Sequence, residues 1–192
     1  GLSAEAAMAR AIELARLGLG KTFPNPIVGA VITSATGEFI SEGFHQGGDH
    51  AEVVAINAAK EIPTGAIIYV TLEPCNHQGK TPPCTDAIIK AGLSKVVYAA
   101  SDPNPIAAGG AKRLQGAGIE VVAGLGETEA RHTEFQEAIA MAINSIFRKA
   151  ADNRKQVAGE AVRHRMAEYA QRLHGSVRVI AALEALLDLP CP

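Results

Sequence analysis

Ala66-Ile67-Ile68-Tyr69-Val70-Thr71-Leu72-Glu73-Pro74-Cys75 opens the stretch on which the reading of this chain turns, and Asn76-His77-Gln78-Gly79-Lys80-Thr81-Pro82-Pro83-Cys84 completes it. The first seven residues are apolar or β-branched almost throughout and read as a strand. Upstream lies His50-Ala51-Glu52. His50, Cys75 and Cys84 offer one imidazole and two thiols, a set that suits zinc and leaves the fourth corner of a tetrahedral ion open. A structural site would normally close that corner with protein. Glu52 stands two residues from the imidazole, where a carboxylate that is not itself a ligand can take up and return protons.

Outward from this stretch, helices and strands alternate. Residues 3–19 place Met8, Ile12, Ala15 and Leu19 at helical spacing, with Gly18 and Gly20 at the fraying end. Pro24-Asn25-Pro26 turns into an apolar strand through Ile32, and Thr36-Gly37 turns that strand into a second, Phe39 to Phe44, as a hairpin. Asn25 between two prolines has little backbone freedom. By itself it is a turn asparagine; beside a metal motif it becomes a candidate for reading a heterocycle edge. Residues 50–60 form the next helix, which Ile62-Pro63 stops. There Asp49-x-x-Glu52 also has the form of a capping box, which would compete with a proton-transfer role for Glu52. After the central strand Cys75 opens a turn or a helix, where thiolates are favoured. Thr81 as N-cap and Pro82 as first helical residue then start a helix to about Ala91, with Gly92 as its stop. Lys80 lies in a polar loop tethered at both ends to the proposed ligands, close to anything bound there. Strand-like 94–100 and 119–123 flank a helix over 107–117, the pattern of parallel pairing. Asp102-Pro103-Asn104-Pro105 follows the first of these strands at the edge where ligands bind in open α/β sheets, although such a turn is often only a turn.

Composition narrows the class. The chain has 192 residues, 47% of them hydrophobic, enough for one full core with an appendage. A net charge of -2 gives no footprint for nucleic acid or an anionic membrane. No apolar run approaches the ~20 residues that span a bilayer, and Glu5 and Glu13 in a helix-like N-terminal pattern are unlike a signal peptide. A cytoplasmic setting is expected. Three cysteines, two of them in the ligand set, point to metal rather than to a disulfide framework, with Cys191 a spare thiol.

His-x-Glu followed by Pro-Cys and a second Cys is the signature of zinc deaminases. Over about residues 3–127 the chain resembles the deaminase domain of RibD-type riboflavin-biosynthesis enzymes, within the cytidine-deaminase-like zinc hydrolases. The resemblance rests on Pro24-Asn25-Pro26-x-Val28-Gly29-Ala30-Val31, His50-Ala51-Glu52-Val53, Tyr69-Val70-Thr71-Leu72-Glu73-Pro74-Cys75, His77-x-Gly79-Lys80-Thr81-Pro82-Pro83-Cys84, Asp102-Pro103-Asn104-Pro105 and Ala117-Gly118-Ile119-Glu120-Val121. The long spacer between the thiols is more specific than the two-residue spacer of nucleoside deaminases. The resemblance implies a three-layer α/β/α sandwich around a mixed five-stranded sheet. It implies one zinc per chain on His50, Cys75 and Cys84, with Glu52 as proton shuttle. It further implies substrate contacts from Asn25, His45, His77, Lys80, Asp102 and Asn104. The implied reaction is hydrolytic removal of the 2-amino group of 2,5-diamino-6-ribosylamino-4(3H)-pyrimidinone 5′-phosphate, giving the 5-amino-6-ribosylamino-pyrimidinedione phosphate and ammonia.

The chain departs from the family pattern in a short His45–His50 loop and in Ile106-Ala107-Ala108-Gly109-Gly110-Ala111, where a basic residue near the glycine pair is usual. Those departures keep open a zinc deaminase of another amino-heterocycle, such as a purine, pterin or antibiotic precursor, which a substrate panel would discriminate. The helical tail motivates a non-catalytic zinc-stabilised binding module, against which Glu52 argues. Residues 1–150 are expected to form the deaminase domain and 151–192 a helical extension, without a reductase domain. In that tail Phe135, Ile139, Ile143, Ile146 and Phe147 mark one amphipathic helix, Val162, Met166, Tyr169 and Leu173 a second, and Val179, Ile180, Leu183, Leu186 and Leu187 a third. Arginines interleaved with acids make this a solvated face rather than a nucleic-acid patch. A homo-oligomer, dimer or tetramer, and a separate reductase complete the expected partners.

Overall fold

Alternate residues of the strands go to opposite faces, and each face finds its own helices. A computed structural model describes residues 1–22, 25–79, 81–102 and 109–151. In chain order the elements are α1 (Ala4–Arg16), β1 (Gly29–Thr33), β2 (Phe39–Phe44), α2 (Ala51–Ala58), β3 (Ile67–Leu72), α3 (Cys84–Lys90), β4 (Lys95–Ala100), α4 (Gly110–Gly116), β5 (Glu120–Ala123) and α5 (Glu127–Ala151). Ala30, Ile32, Ile68, Val70, Val96 and Tyr98 pack on one face against Ala51 and Ala55 of α2, Ile88 of α3 and Leu114 of α4. Val31, Tyr69, Val97 and Ala99 pack on the other against Ala7, Met8, Ala11, Ile12 and Leu14 of α1, with Ala130 of α5. The result is the expected three-layer α/β/α sandwich. Because β3 and β4 are covered on both faces, their sequences are near-continuous apolar runs.

The sheet order is β2-β1-β3-β4-β5. β1 pairs antiparallel with β2 and β3, whereas β3–β4 and β4–β5 are parallel. This mixture decides where the chemistry sits. The start of β1 lies opposite the ends of both β2 and β3, with Gly29 across from Phe44 and its N–H on Thr71 Oγ1 at 3.2 Å. The segment before β1, the loop from β2 into α2, the turn after β3 and the residues after β4 all emerge at one end of the sheet. α2 is pressed close to β2 there: a Cβ on Gly43 would stand 2.6 Å from Ala55 N and 2.8 Å from Ala51 O. Small residues at the contact let the first turn of α2 lie against the strand.

Several boundaries differ from the sequence reading. α1 ends at Arg16, and Leu19 is exposed rather than part of the core. The N-cap of α2 is His50, not Asp49, so the capping box does not form. Asp49 is instead drawn into the turn before the helix, where its carbonyl meets His45 Nδ1 at 3.0 Å. α3 begins at Cys84 with Pro83 as N-cap, φ -55° and ψ 139°. Pro82 cannot be the first helical residue because Pro83 follows it, and a residue before proline is pushed out of the helical region. Cys75 starts no helix.

The chain divides into two compact units, Gly1–Thr133 and Glu134–Pro192. α5 contains the helix expected through Phe135 and Phe147; the two further helices of the tail, and Cys191, lie outside the described residues. Among the described residues no helix is long and apolar enough to cross a membrane.

One ion pair clips α1 to the edge strand β2. Arg10 Nε meets Glu42 Oε2 at 2.9 Å and its Nη2 meets Oε1 at 2.7 Å. The Arg10 hydrogen bonds hold the Glu42 carboxyl below its ordinary value. With side chains 44% and 30% exposed, the pair is expected to couple by less than about 1 kcal/mol. A folded-state pKa that is depressed makes this contribution present above the unfolded carboxylate value, about 4.5, and lost as pH falls through the lower folded value. A double-mutant cycle of Arg10→Ala and Glu42→Gln in urea should show coupling at pH 7 that fades below pH 4; coupling constant with pH would contradict this.

Candidate active site

Three chain segments meet at the shared end of the sheet. His50 caps α2, Cys75 lies in the turn after β3, and Cys84 is the first residue of α3. His50 Nδ1 is 3.1 Å from Cys84 Sγ and 3.6 Å from Cys75 Sγ. Their ligand atoms all lie within 4.8 Å of one another, and this is the group able to hold a metal ion among the described residues. Tetrahedral zinc at ~2.3 Å from sulfur and ~2.0 Å from nitrogen separates those ligands by roughly 3.5 Å. The two observed separations bracket that value, so the donor set fits zinc in both chemistry and spacing. Cys75 has no helix of its own, but the N–H of Cys84 at the head of α3 reaches its sulfur at 3.3 Å. The two thiol-bearing segments are further joined by Thr85 N–H to the Cys75 carbonyl at 3.3 Å and by Thr85 Oγ1 to Asn76 Oδ1 at 3.2 Å.

The hydrogen bond from the Cys84 thiol, then that from His50 and the Cys84 N–H, hold the Cys75 thiol well below its ordinary range. The same bond to Cys75, with burial, pushes the Cys84 thiol up. His50 is raised, chiefly by its hydrogen bond to Cys75. Its nearer neighbour in distance is Cys84 Sγ, at 3.1 Å. Glu52 is 4% exposed in the first turn of α2. Burial pushes its carboxyl up to about 7, against smaller opposing pulls from its own backbone amide and from His50.

The other predicted residues are placed unevenly. His45, at the end of β2, is 3% exposed and its ring stands edge-on to His50, centroids 5.4 Å apart. His77, half-buried, follows Cys75 by two residues. His45 Nε2 and His77 Nδ1 are the buried side-chain polar atoms without a hydrogen-bond partner among the described residues. Asn25 is exposed just ahead of β1, its backbone held by Thr22 through Asn25 N–H to Thr22 O and Thr22 Oγ1 to Asn25 O. Asp102 is half-buried two residues past β4. Lys80 and Asn104 lie outside the described residues. Glu73 and the Asn76–Thr85 pair received no role from sequence. Glu73 is part of the strand-end motif, yet an acid before Pro-Cys announces nothing until the segments it bridges are seen in space.

The fold and the donor set are those of a zinc deaminase, and the chain belongs to the cytidine and deoxycytidylate deaminase zinc-binding family, whose profile matches residues 2–100. Within it, the chain is similar to riboflavin biosynthesis protein RibD: 55% identical over 121 residues to that of Actinobacillus pleuropneumoniae, an overlap of 62% of this chain and 32% of that protein. It is also 55% identical over 126 residues to RibD of Escherichia coli strain K12, an overlap of 64% and 34%. Among solved structures, the diaminohydroxyphosphoribosylaminopyrimidine deaminase/5-amino-6-(5-phosphoribosylamino)uracil reductase of Thermotoga maritima superposes with a TM-score of 0.66 at 49% identity, covering 69% of this chain and 39% of that one. The chain thus spans about a third of the length of the curated relatives it matches.

Proposed function

We propose that this chain carries out the zinc-dependent hydrolytic deamination of 2,5-diamino-6-ribosylamino-4(3H)-pyrimidinone 5′-phosphate, with His50, Cys75 and Cys84 as zinc ligands and Glu52 as the proton carrier. The observation that carries the reading is a buried carboxyl in the first turn of α2 beside an imidazole and two thiols of zinc-ligand spacing. Zinc bound there supplies a Lewis acid that brings the pKa of water toward ~7. Glu52 can accept the proton of the attacking water. It can pass that proton to the ring nitrogen beside the amidine carbon, then take the proton of the hydroxyl added at that carbon and deliver it to the departing amine as the C=O forms. One carboxyl suffices because the transfers are sequential.

The remaining groups bind and orient. Asn25, Asp102 and Asn104 are assigned to the heterocycle and ribosyl part, and Lys80 to the phosphate as a point charge. His45 and His77 each bring a buried, unpartnered nitrogen to the neighbourhood of the zinc ligands, and such an atom is at lowest free energy when a polar ligand meets it. The proposal includes a reductase acting on the product, which the bifunctional relative's description supports. It includes a homo-oligomeric state, dimer or tetramer. A reducing cytoplasm, which keeps zinc-binding thiols reduced, is the setting that goes with it.

Mass spectrometry of the zinc-loaded protein with this substrate tests the reading. A gain of about one mass unit, as an amino group is exchanged for oxygen, should appear together with ammonia. An untouched substrate at full zinc occupancy would overturn the substrate assignment, and turnover of another amino-heterocycle in its place would redirect it.

A further inference from the structure

Glu73 stands at the end of β3, directly before the Pro74-Cys75 ligand turn, and its two ends reach in different directions. Its backbone N–H donates to Ala100 O at 2.8 Å, adding one rung to the β3–β4 ladder and holding the end of β4, two residues before Asp102. Its side chain, in a residue 8% exposed, accepts the N–H of Ala111 through Oε1 at 3.1 Å. Ala111 belongs to the first turn of α4, where backbone N–H groups have no partner within the helix. Immediately beside it, Gly110 is so close to the ligand turn that a Cβ there would fall 1.9 Å from Pro74 O. The end of β4 and the start of α4 are therefore both held by one residue, which stands two positions before a proposed zinc ligand.

We infer that Glu73 is a positioning residue for substrate binding: it holds the end of β4, two residues before Asp102, and the start of α4 in register with the Cys75 turn. The inference rests on the proposed deaminase reading for what is bound. Glu73 touches neither the ligand atoms nor Glu52 in any hydrogen bond described, so it acts on where substrate-contacting groups stand rather than on proton transfer. A change confined to such groups raises KM and leaves kcat, whereas damage to the zinc cluster lowers kcat.

Reach is the variable to test. Glu73→Asp keeps the charge but shortens the side chain by one carbon, out of range of the Ala111 N–H; Glu73→Gln keeps an acceptor oxygen at the original reach. We expect Glu73→Asp to raise KM about tenfold with kcat within twofold and zinc still one per chain, and Glu73→Gln to stay within twofold of the parent in both constants. Gly110→Ala, which pushes the start of α4 off Pro74 with Glu73 intact, should reproduce the KM defect. Hydrogen exchange supplies an arm that needs no substrate: amides 110–112 should lose protection in Glu73→Asp while those of β3 and β4 keep theirs. Parental KM in Glu73→Asp and Gly110→Ala, a kcat defect without a KM defect, zinc loss in Glu73→Asp, or unchanged exchange at 110–112 would each overturn the inference. A parent protein that leaves the pyrimidinone phosphate untouched would instead sink the deaminase reading, and the exchange arm would still decide the role of Glu73.

Discussion

Glu52→Gln is expected to lower kcat by ~10⁴-fold, the upper end of what a single acid–base group contributes, with the zinc content and the unfolding midpoint kept. The carboxamide is nearly isosteric and fits the same buried position, so packing against α2 is undisturbed. What changes is chemistry: an amide can neither accept a water proton nor deliver one to a ring nitrogen at neutral pH. The variant should keep the parent's midpoint in urea, while single-turnover assays show no ammonia. Residual turnover within tenfold of the parent would remove Glu52 from the mechanism.

Cys84→Ser is expected to abolish zinc binding and activity together. The Cys84 sulfur is the buried hub of the cluster, 1% exposed and 3.1 Å from His50 Nδ1. A serine hydroxyl at that position is a weak zinc ligand and is shorter by roughly half an ångström to the ion, leaving His50 and Cys75 as a two-ligand remnant. Competition against a chromophoric chelator should show affinity lower by at least ~10³-fold, with metal content near zero after dialysis. Cys75→Ser should behave likewise and additionally free the Cys84 N–H, which now points at the Cys75 sulfur. A variant that keeps one zinc per chain would move that ligand elsewhere. The two experiments separate the roles, since Glu52→Gln loses turnover with the metal in place and Cys84→Ser loses both.

The fold was legible in sequence where side-chain periodicity reports burial. The double-sided burial of β3 and β4 produces the apolar runs at 66–72 and 95–100, and the short hairpin between β1 and β2 is announced by Thr36-Gly37. Helix starts were less legible, because several residues in a row have capping chemistry and only tertiary contacts choose among them. Asp49 loses the cap of α2 to His50 because His45 occupies the Asp49 carbonyl. Thr81 and Pro82 lose the start of α3 to Cys84 because of the proline that follows. The latter shift puts a thiol and its N–H at the head of the helix, which serves the metal cluster better than the sequence reading did. His50, Cys75 and Cys84 were legible because they sit at motif spacing, and the structure brings them together as a group able to hold a metal ion. Glu73, Asn76 and Thr85 act across 9 to 38 positions of the chain, and no local pattern encodes a partner that far away.

The anchoring of the chain after β4 bears on how long that connection can be. Both of its ends are tied to the turn that bears Cys75, by Ala100 O on Glu73 N–H and by Ala111 N–H on the Glu73 carboxyl. For a segment whose ends are already fixed, doubling its length adds only about 0.6 kcal/mol of closure entropy. A change in the length of the connection between these two anchors therefore costs the zinc cluster and the sheet beneath it little. The metal cluster and its sheet are in this way held independently of the length of the connection that follows β4.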